Sequence, residues 1–363
     1  MDFFEVDFVK AGDNKSGDAI ALRYRRNNET QTSVHVVDGG YTEDGQKLVD
    51  HINSQYGSPE RIDNVILTHP DRDHAGGLMT VLESFEIGTL WMNRPWNHIA
   101  DLLPMFEYEY TEEGLVQRLK RDFPNTAALE KAAENLGIEV RDVFQGTNIG
   151  GFLVLSPSRD FYLELVVASE KTPEAEREAS FTGQVYSFVR QAIRSVSALW
   201  GVETGLLGGT EGTSAENEMS VIQLGIFSSG NILLTGDSGV KALDEAYNYA
   251  IQLGIQLPGL THFQVPHHGS RHNLSTEILD KWLGQRLPSM PSPGQYTVAT
   301  LISAHENDED HPRKSVVRAL WHRGANVCST EDKDFIYWKP TGQPFRSGTS
   351  GATGLEYPGD TEE

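Results

Sequence analysis

The sequence predicts an α/β protein with a single layered core. Three observations predict it. Apolar runs of strand character alternate with runs of helical spacing up to Trp91, the same alternation resumes after Met219, and several strands end in Asp or His rather than in ordinary turn residues. The chain has 363 residues, 38% hydrophobic and 23% charged, which is the profile of a globular protein with enough apolar surface for a sizeable core.

Taken in order, FFEVDFV, IALRYR and SVHVVDGG read as strands, and the polar GDNKSGD is the turn between the first two. GQKLVDHINSQYG carries helical spacing, RIDNVILTHP is a buried-type strand that delivers a His-rich loop, and AGGLMTVLESF is a second helix. Residues 94 to about 142 are acidic and helical in periodicity, as is a second stretch from about 160 to 202. Both are expected to be helical insertions covering one side of a single domain that spans residues 1–340. From Met219, SVIQLGIFSSGNILLTGD predicts a hairpin with a turn at SSGN, and FQVPHHGS predicts a strand feeding a second His loop. TVATLISAHE and ANVCSTEDKDFIYW continue the alternation. Residues 341–363, rich in Gly, Pro, Thr and Ser, are expected to form a mobile tail.

The chemistry concentrates in THPDRDHAGG, residues 68–77, where His69, Asp71, Asp73 and His74 crowd six positions directly after an apolar strand. Four such groups in a structural loop would repel one another or lose solvation without return, unless a cation neutralised them. One loop cannot enclose two ions, so further ligands should arrive from later strand ends, and Asp237 and the pair His267/His268 are the candidates. Each alone is weak, since an Asp after a strand is commonly a turn residue and a His pair commonly surface; their shared placement after apolar runs is what singles them out.

Asp38-Gly39-Gly40, HPDRDHAGG, Asn217 through Val221, LLTGD, HHGS and ISAHENDEDHP form an ordered series that resembles the ComEC/Rec2-type branch of the metallo-β-lactamase superfamily over residues 5–90 and 215–340. The resemblance implies a four-layer αβ/βα sandwich and a dinuclear metal hydrolase. It implies that His69 and Asp71 hold one ion, that Asp73, His74 and His268 hold the other, and that Asp237 bridges them. Asp38 would orient a ligand His through its ring nitrogen, with Asn217 and Ser220 supporting the site. Where superfamily members commonly carry a further His, this chain has Glu216-Asn217-Glu218 and Ser220, so Asn217 or a water is left to complete the first ion. The carboxylate-rich set makes Mn²⁺ and Mg²⁺ credible beside Zn²⁺. A water between two ions about 4 Å apart would be the nucleophile. Asp73, His267, His311 and Ser270 are the candidate catalytic groups: a His to donate a proton or bind phosphate, and Ser270 at an expected helix start suited to an anion. His305, Asn307, Arg313 and Lys314 are weaker candidates, with solvated surface as the simpler reading.

The net charge of −22 disfavours a nonspecific polyanion coat, although bound cations reverse the potential inside a cleft. Cys328 is the only cysteine, the N-terminal MDFFEVDFVK lacks a signal-peptide pattern, and no apolar run is long enough to span a bilayer; a cytoplasmic location without membrane association is expected. The leading expectation is hydrolysis of a nucleic-acid or nucleotide phosphodiester. Two others stand beside it: hydrolysis of small esters, thioesters or lactones, and a binding or regulatory subunit of a defence or DNA-processing assembly whose helical insertions meet a protein partner.

Overall fold

A computed structural model describes residues 3–26, 29–169, 200–203, 205–208, 212–228, 230–292, 294–331, 333–339 and 353–359. The first sheet contains β1 (Phe3–Phe8), β2 (Ala19–Arg25), β3 (Ser33–Gly39), β4 (Arg61–Ile66), β5 (Glu86–Trp91) and β6 (Glu139–Arg141). The second contains β7 (Asn148–Ile149), β8 (Phe152–Ser156), β9 (Ile222–Phe227), β10 (Gly230–Leu234), β11 (His262–Gln264), β12 (Val298–Ile302) and β13 (Ala325–Ser329). β14 (Phe335–Lys339) closes the edge of the first sheet beside β1, and β15 (Thr353–Gly354) closes the second beside β13. β3 to β6 run parallel, as do β10 to β13, and the outer strands are antiparallel.

Alternation along β1 explains how the sheets meet. Phe4, Val6 and Phe8 point to one face and join Ile20, Leu22, Ile232, Leu234 and Leu301 in a buried cluster drawn from both sheets. Glu5 and Asp7 point to the other face, where Glu5 accepts from Arg23 Nε at 2.5 Å and Asp7 meets His51 Nε2 at 2.7 Å. Helices Asp44–Tyr56 and Leu78–Ser84 cover the outside of the first sheet, burying Leu48, Ile52, Leu78 and Val81 against Val36, Ile62 and Val65. Helices Val240–Gln252, Thr276–Leu283 and Lys314–His322 cover the second through Leu243, Leu279, Trp282 and Leu320. The result is a four-layer αβ/βα sandwich.

Residues 94–142 hold helices Ile99–Leu102, Glu112–Asp122 and Pro124–Leu136 and end on the sheet strand β6. Thr111 caps the second by accepting from Gly114 N, and Gly137, left-handed at φ 70°, ends the third. Leu102, Leu115, Leu119 and Phe123 build a separate small core with Tyr162 and Val166 of helix Arg159–Ala168. Each buried leucine there contributes roughly 1.5–3 kcal/mol. The remainder of the second insertion, 170–199, lies outside the described residues.

The expected mobile tail requires correction over 353–359. β15 pairs with β13, Leu355 N donates to Val327 O at 2.8 Å, and Trp321 Nε1 donates to Leu355 O at 3.0 Å. Polar composition concealed this anchoring because the tail enters these bonds through its backbone groups. Among the described residues no helix is long and apolar enough to cross a membrane.

Candidate metal centre

The candidate ligands lie at the C-terminal ends of β3, β4, β10 and β11. Two glycine pairs make their close approach feasible: a Cβ on Gly77 would run into Gly39 O, and one on Gly39 would sit 2.6 Å from Leu78 N. The Asp-Gly-Gly and Ala-Gly-Gly motifs therefore pack the β3 and β4 loops backbone to backbone. Asp38, left-handed at φ 58°, is fully buried there. Asn125 of the first insertion braces the ligand loop from outside by donating to Pro70 O at 2.9 Å.

Hydrogen bonds fix the direction of each imidazole. Asp38 Oδ2 accepts from Thr68 Oγ1 at 2.6 Å and from His74 Nδ1 at 2.7 Å, while Oδ1 accepts from Thr68 N at 2.8 Å. Because the Thr68 hydroxyl hydrogen goes to Asp38, its oxygen is left to accept from His69 Nδ1 at 3.1 Å. His268 Nδ1 donates to Ser303 O at 2.9 Å. In all three rings Nδ1 carries a hydrogen, which leaves Nε2 to face inward.

The Nε2 atoms converge on Asp237. His74 Nε2 is 3.3 Å from Asp237 Oδ1, His268 Nε2 is 3.4 Å from Asp73 Oδ2, and His69 Nε2 is 3.8 Å from both Asp71 Oδ2 and Asp237 Oδ2. Ligand atoms of Asp73, His74, Asp237 and His268 all lie within 4.8 Å of one another. Among the described residues, the buried His69 Nε2, His74 Nε2 and Asp237 Oδ1 find no hydrogen-bond partner. Buried polar atoms are rarely left so, and a divalent cation fits this donor set.

Electrostatics agree with that fit. Burial pushes His268 and His74 toward their neutral forms, but Asp237 and Asp73 outweigh it at His268 and raise it to about 9, and Asp237, Asp38 and Asp73 outweigh it at His74 and hold it well above the usual imidazole range. Burial, reinforced by His74, pushes His69 down. Burial would raise Asp237 and Asp73, yet the surrounding imidazoles hold both well below the usual carboxylate range. Carboxylates crowded this way hold either protons on the rings or a metal, so loading releases protons.

The other predicted residues are placed as follows. Ser220 Oγ accepts from Asp237 N at 3.1 Å and so holds that ligand's backbone. Asn217 Nδ2 donates to Thr213 Oγ1 at 2.7 Å and lies 3.2 Å from His267 Nδ1. The His311 ring centroid is 5.4 Å from that of His267 and 6.0 Å from that of His268. Burial, with His268 and His267, pushes His311 down to about 4. His305 lines a pocket with Lys10, Asp13 and Lys47, and its backbone N donates to Ser16 Oγ at 3.1 Å. Arg313 pairs with Asp310 at 2.7 Å. The expected helix start at Ser270 is a correction: Ser270 Oγ accepts from His272 N, and the next helix is capped by Ser275, which accepts from Ile278 N at 3.2 Å. Residues 271–274 separate Ser270 from that cap, so no helix dipole points out of Ser270.

Asp18 is a site residue that the sequence reading missed. It is buried, its N–H donates to Asp73 O at 3.1 Å, its carbonyl accepts from Gly40 N at 2.6 Å, and Oδ2 accepts from Gln264 Nε2 at 2.8 Å. It thereby ties the β3 and β4 loops to β11. In GDNKSGD it has the look of a turn residue, and only its position opposite the His loop reveals otherwise.

A family model described as Metallo-beta-lactamase superfamily matches residues 28–155. No curated protein matches. Unliganded yeast PDE1 is similar in structure at 13% identity, covering 93% of this chain and 99% of its own, with a TM-score of 0.44. A putative metallo-beta-lactamase from Thermotoga maritima is similar at 10% identity, covering 69% and 92%, with a TM-score of 0.31.

Proposed function

We propose that this chain, whose residues 28–155 match the metallo-β-lactamase superfamily model, is a metal-dependent hydrolase that cleaves phosphodiesters, with nucleic acid or a nucleotide as substrate. The observation that carries the reading is the convergence of buried, unpartnered Nε2 and Oδ atoms on Asp237 from strand ends of both sheets. Divalent ions bound there would supply Lewis acidity and acidify water. The phosphodiester part is supported by the carboxylate share of the donor set, which suits ions that accept phosphoryl oxygens, and by the ComEC-type motif series.

This chain's own residues would act as follows. Asp38, Thr68 and Ser303 orient imidazoles, and Ser220 and Asn273 hold the Asp237 segment, with Asn273 Nδ2 donating to Asp237 O at 2.7 Å. The cavity behind His69, lined by Asn93, Phe123, Thr126, Tyr162 and Met219, is about 10 Å³, room for roughly one water. Substrate would therefore approach from the solvent side, where Asp71, Asp73, His267 and His311 are partly exposed. His311, neutral above about 4, would serve there as a hydrogen-bonding group to substrate oxygen rather than as a cation.

The test measures bound metal and the turnover of a fluorescent phosphodiester, linear DNA, RNA and cyclic nucleotides with added Mn²⁺, against Asp73→Ala. Turnover that disappears in the variant is expected. Metal without phosphodiester turnover would refute the substrate class in favour of small esters, and absence of metal would refute the hydrolase in favour of an interaction subunit.

A further inference from the structure

We infer that His267 is the fourth inward imidazole of the centre and the ligand that stands in for the histidine absent between Glu216 and Ser220. This rests on the metallohydrolase reading above.

The backbone gives the first reason. Successive residues of an extended segment point to opposite sides, so a His pair after a strand should send only one ring inward. Here His267 (φ 47°), His268 (φ 54°) and Gly269 (φ 85°) are all left-handed, and this turn brings both rings to one carboxylate: His267 Nε2 is 3.7 Å and His268 Nε2 4.0 Å from Asp237 Oδ2. A left-handed non-glycine residue costs roughly 1–2 kcal/mol. A histidine kept in that conformation at two consecutive positions, where Gly or Asn would sit more easily, indicates that both rings are needed.

The second reason is the proton on Nδ1. Asn273 Nδ2 donates to Asp237 O at 2.7 Å and to Ser238 O at 3.3 Å, and these two carbonyls fix the orientation of the amide. Its Oδ1 then lies 2.9 Å from His267 Nδ1 and can only accept. Nδ1 therefore carries a hydrogen, as in His69, His74 and His268, and Nε2 is the atom that faces Asp237.

The third reason is the position of Asn217. Its amide nitrogen is on the Nδ1 side of His267, so it lies behind this ring, on the side away from Asp237. With His267 included, four imidazoles face Asp237: Nε2 of His69, His267 and His268 lies 3.8, 3.7 and 4.0 Å from Oδ2, and Nε2 of His74 lies 3.3 Å from Oδ1. A fourth imidazole shifts the preference of the centre toward Zn²⁺ or Mn²⁺ and away from Mg²⁺.

The experiment titrates metal-free protein with Zn²⁺ calorimetrically and with Co²⁺ by absorbance, for wild type, His267→Gly and Asn217→Ala. Glycine suits the left-handed backbone, so the metal-free His267→Gly should melt at or above the wild-type temperature; His267→Asn, which also tolerates that conformation, is the second variant. Expected are two ions for wild type and Asn217→Ala. In both His267 variants one ion should keep its affinity and the other weaken by about 100-fold or more, the loss of a direct ligand exceeding that of a supporting group. Millimolar imidazole should restore part of the Co²⁺ spectrum of His267→Gly. Two tightly bound ions in both His267 variants, or a single ion in wild type, would overturn the inference while leaving a metallohydrolase; no ion in wild type would overturn both.

Discussion

Replacing Asp38 by Asn alters one atom in a buried triangle of hydrogen bonds. The amide oxygen would keep the bond to Thr68 N, and the NH₂ would then face the Thr68 hydroxyl and His74 Nδ1, where two donors meet a third. Thr68 adapts by rotating its hydroxyl. His74 adapts only by giving up its Nδ1 hydrogen, which moves the proton to Nε2 and turns a lone pair into a donor 3.3 Å from Asp237 Oδ1. The charge-assisted bond lost is worth about 1.5–3 kcal/mol. If that cost falls on binding, the His74 half should weaken by about 10- to 100-fold. Asn tolerates the left-handed conformation at 38, so the variant should fold. The assay is Zn²⁺ competition against a chromophoric chelator, with a thermal melt of the metal-free protein as the check on folding. Wild-type affinity for both ions in a folded Asp38→Asn would refute the argument that Asp38 sets the His74 tautomer.

Two further predictions concern stability away from the centre. His51 lies between Asp7 Oδ2 at 2.7 Å and Asp334 Oδ2 at 3.2 Å; burial would lower it, but these hydrogen bonds raise it to about 9. Its folded value exceeds the unfolded one, so the contribution, about 3 kcal/mol at most, is full below pH ~6.5 and lost as pH rises through about 9; urea melts at the two ends should show this slope in wild type and not in His51→Gln. Glu203, almost fully buried, accepts from Arg323 Nη1 at 2.6 Å, Thr276 Oγ1 at 2.7 Å and His322 Nδ1 at 3.1 Å; burial would raise it, but these partners hold it at about 2. Glu203→Ala leaves the Arg323 guanidinium buried with Asp280 as its remaining carboxylate and should cost about 3–5 kcal/mol by chemical denaturation, a loss below about 1 kcal/mol contradicting it.

Much of this was legible in the sequence because it is local. Strand alternation in FFEVDFV, the apolar run RIDNVI before the His loop, and the cluster of four ligand-type side chains after it are all written within a few residues. The positions of Asp237 and His268 followed from the same rule, that ligands collect at strand ends. What escaped is non-local or conformational. Asp18 acts across 246 positions through Gln264, a pairing that no short pattern encodes. The direction of His267 depends on three consecutive left-handed residues, whereas a strand-derived reading predicts opposed rings. β15 is two residues held by backbone bonds in a polar segment, and Ser270 looked like a cap because the turn before Ser275 has no sequence signature.

The centre draws Asp38, His69, Asp71, Asp73 and His74 from the loops of one sheet and Asp237, His267 and His268 from the other. Apolar packing and cross-bonds such as Val221 N to Thr68 O at 3.1 Å, Gln264 Nε2 to Asp18 Oδ2 at 2.8 Å and Ser16 Oγ to Asp308 Oδ2 at 2.7 Å fasten that rim of the sandwich. An ion seated there would act as a rivet between the two halves. Occupancy then becomes a mechanical property of the whole molecule: at a free ion concentration 100 times the dissociation constant the riveted form gains about 2.7 kcal/mol over the open one. Starved of its ion, the protein would be not simply idle but looser at one end, and easier for a protease to open.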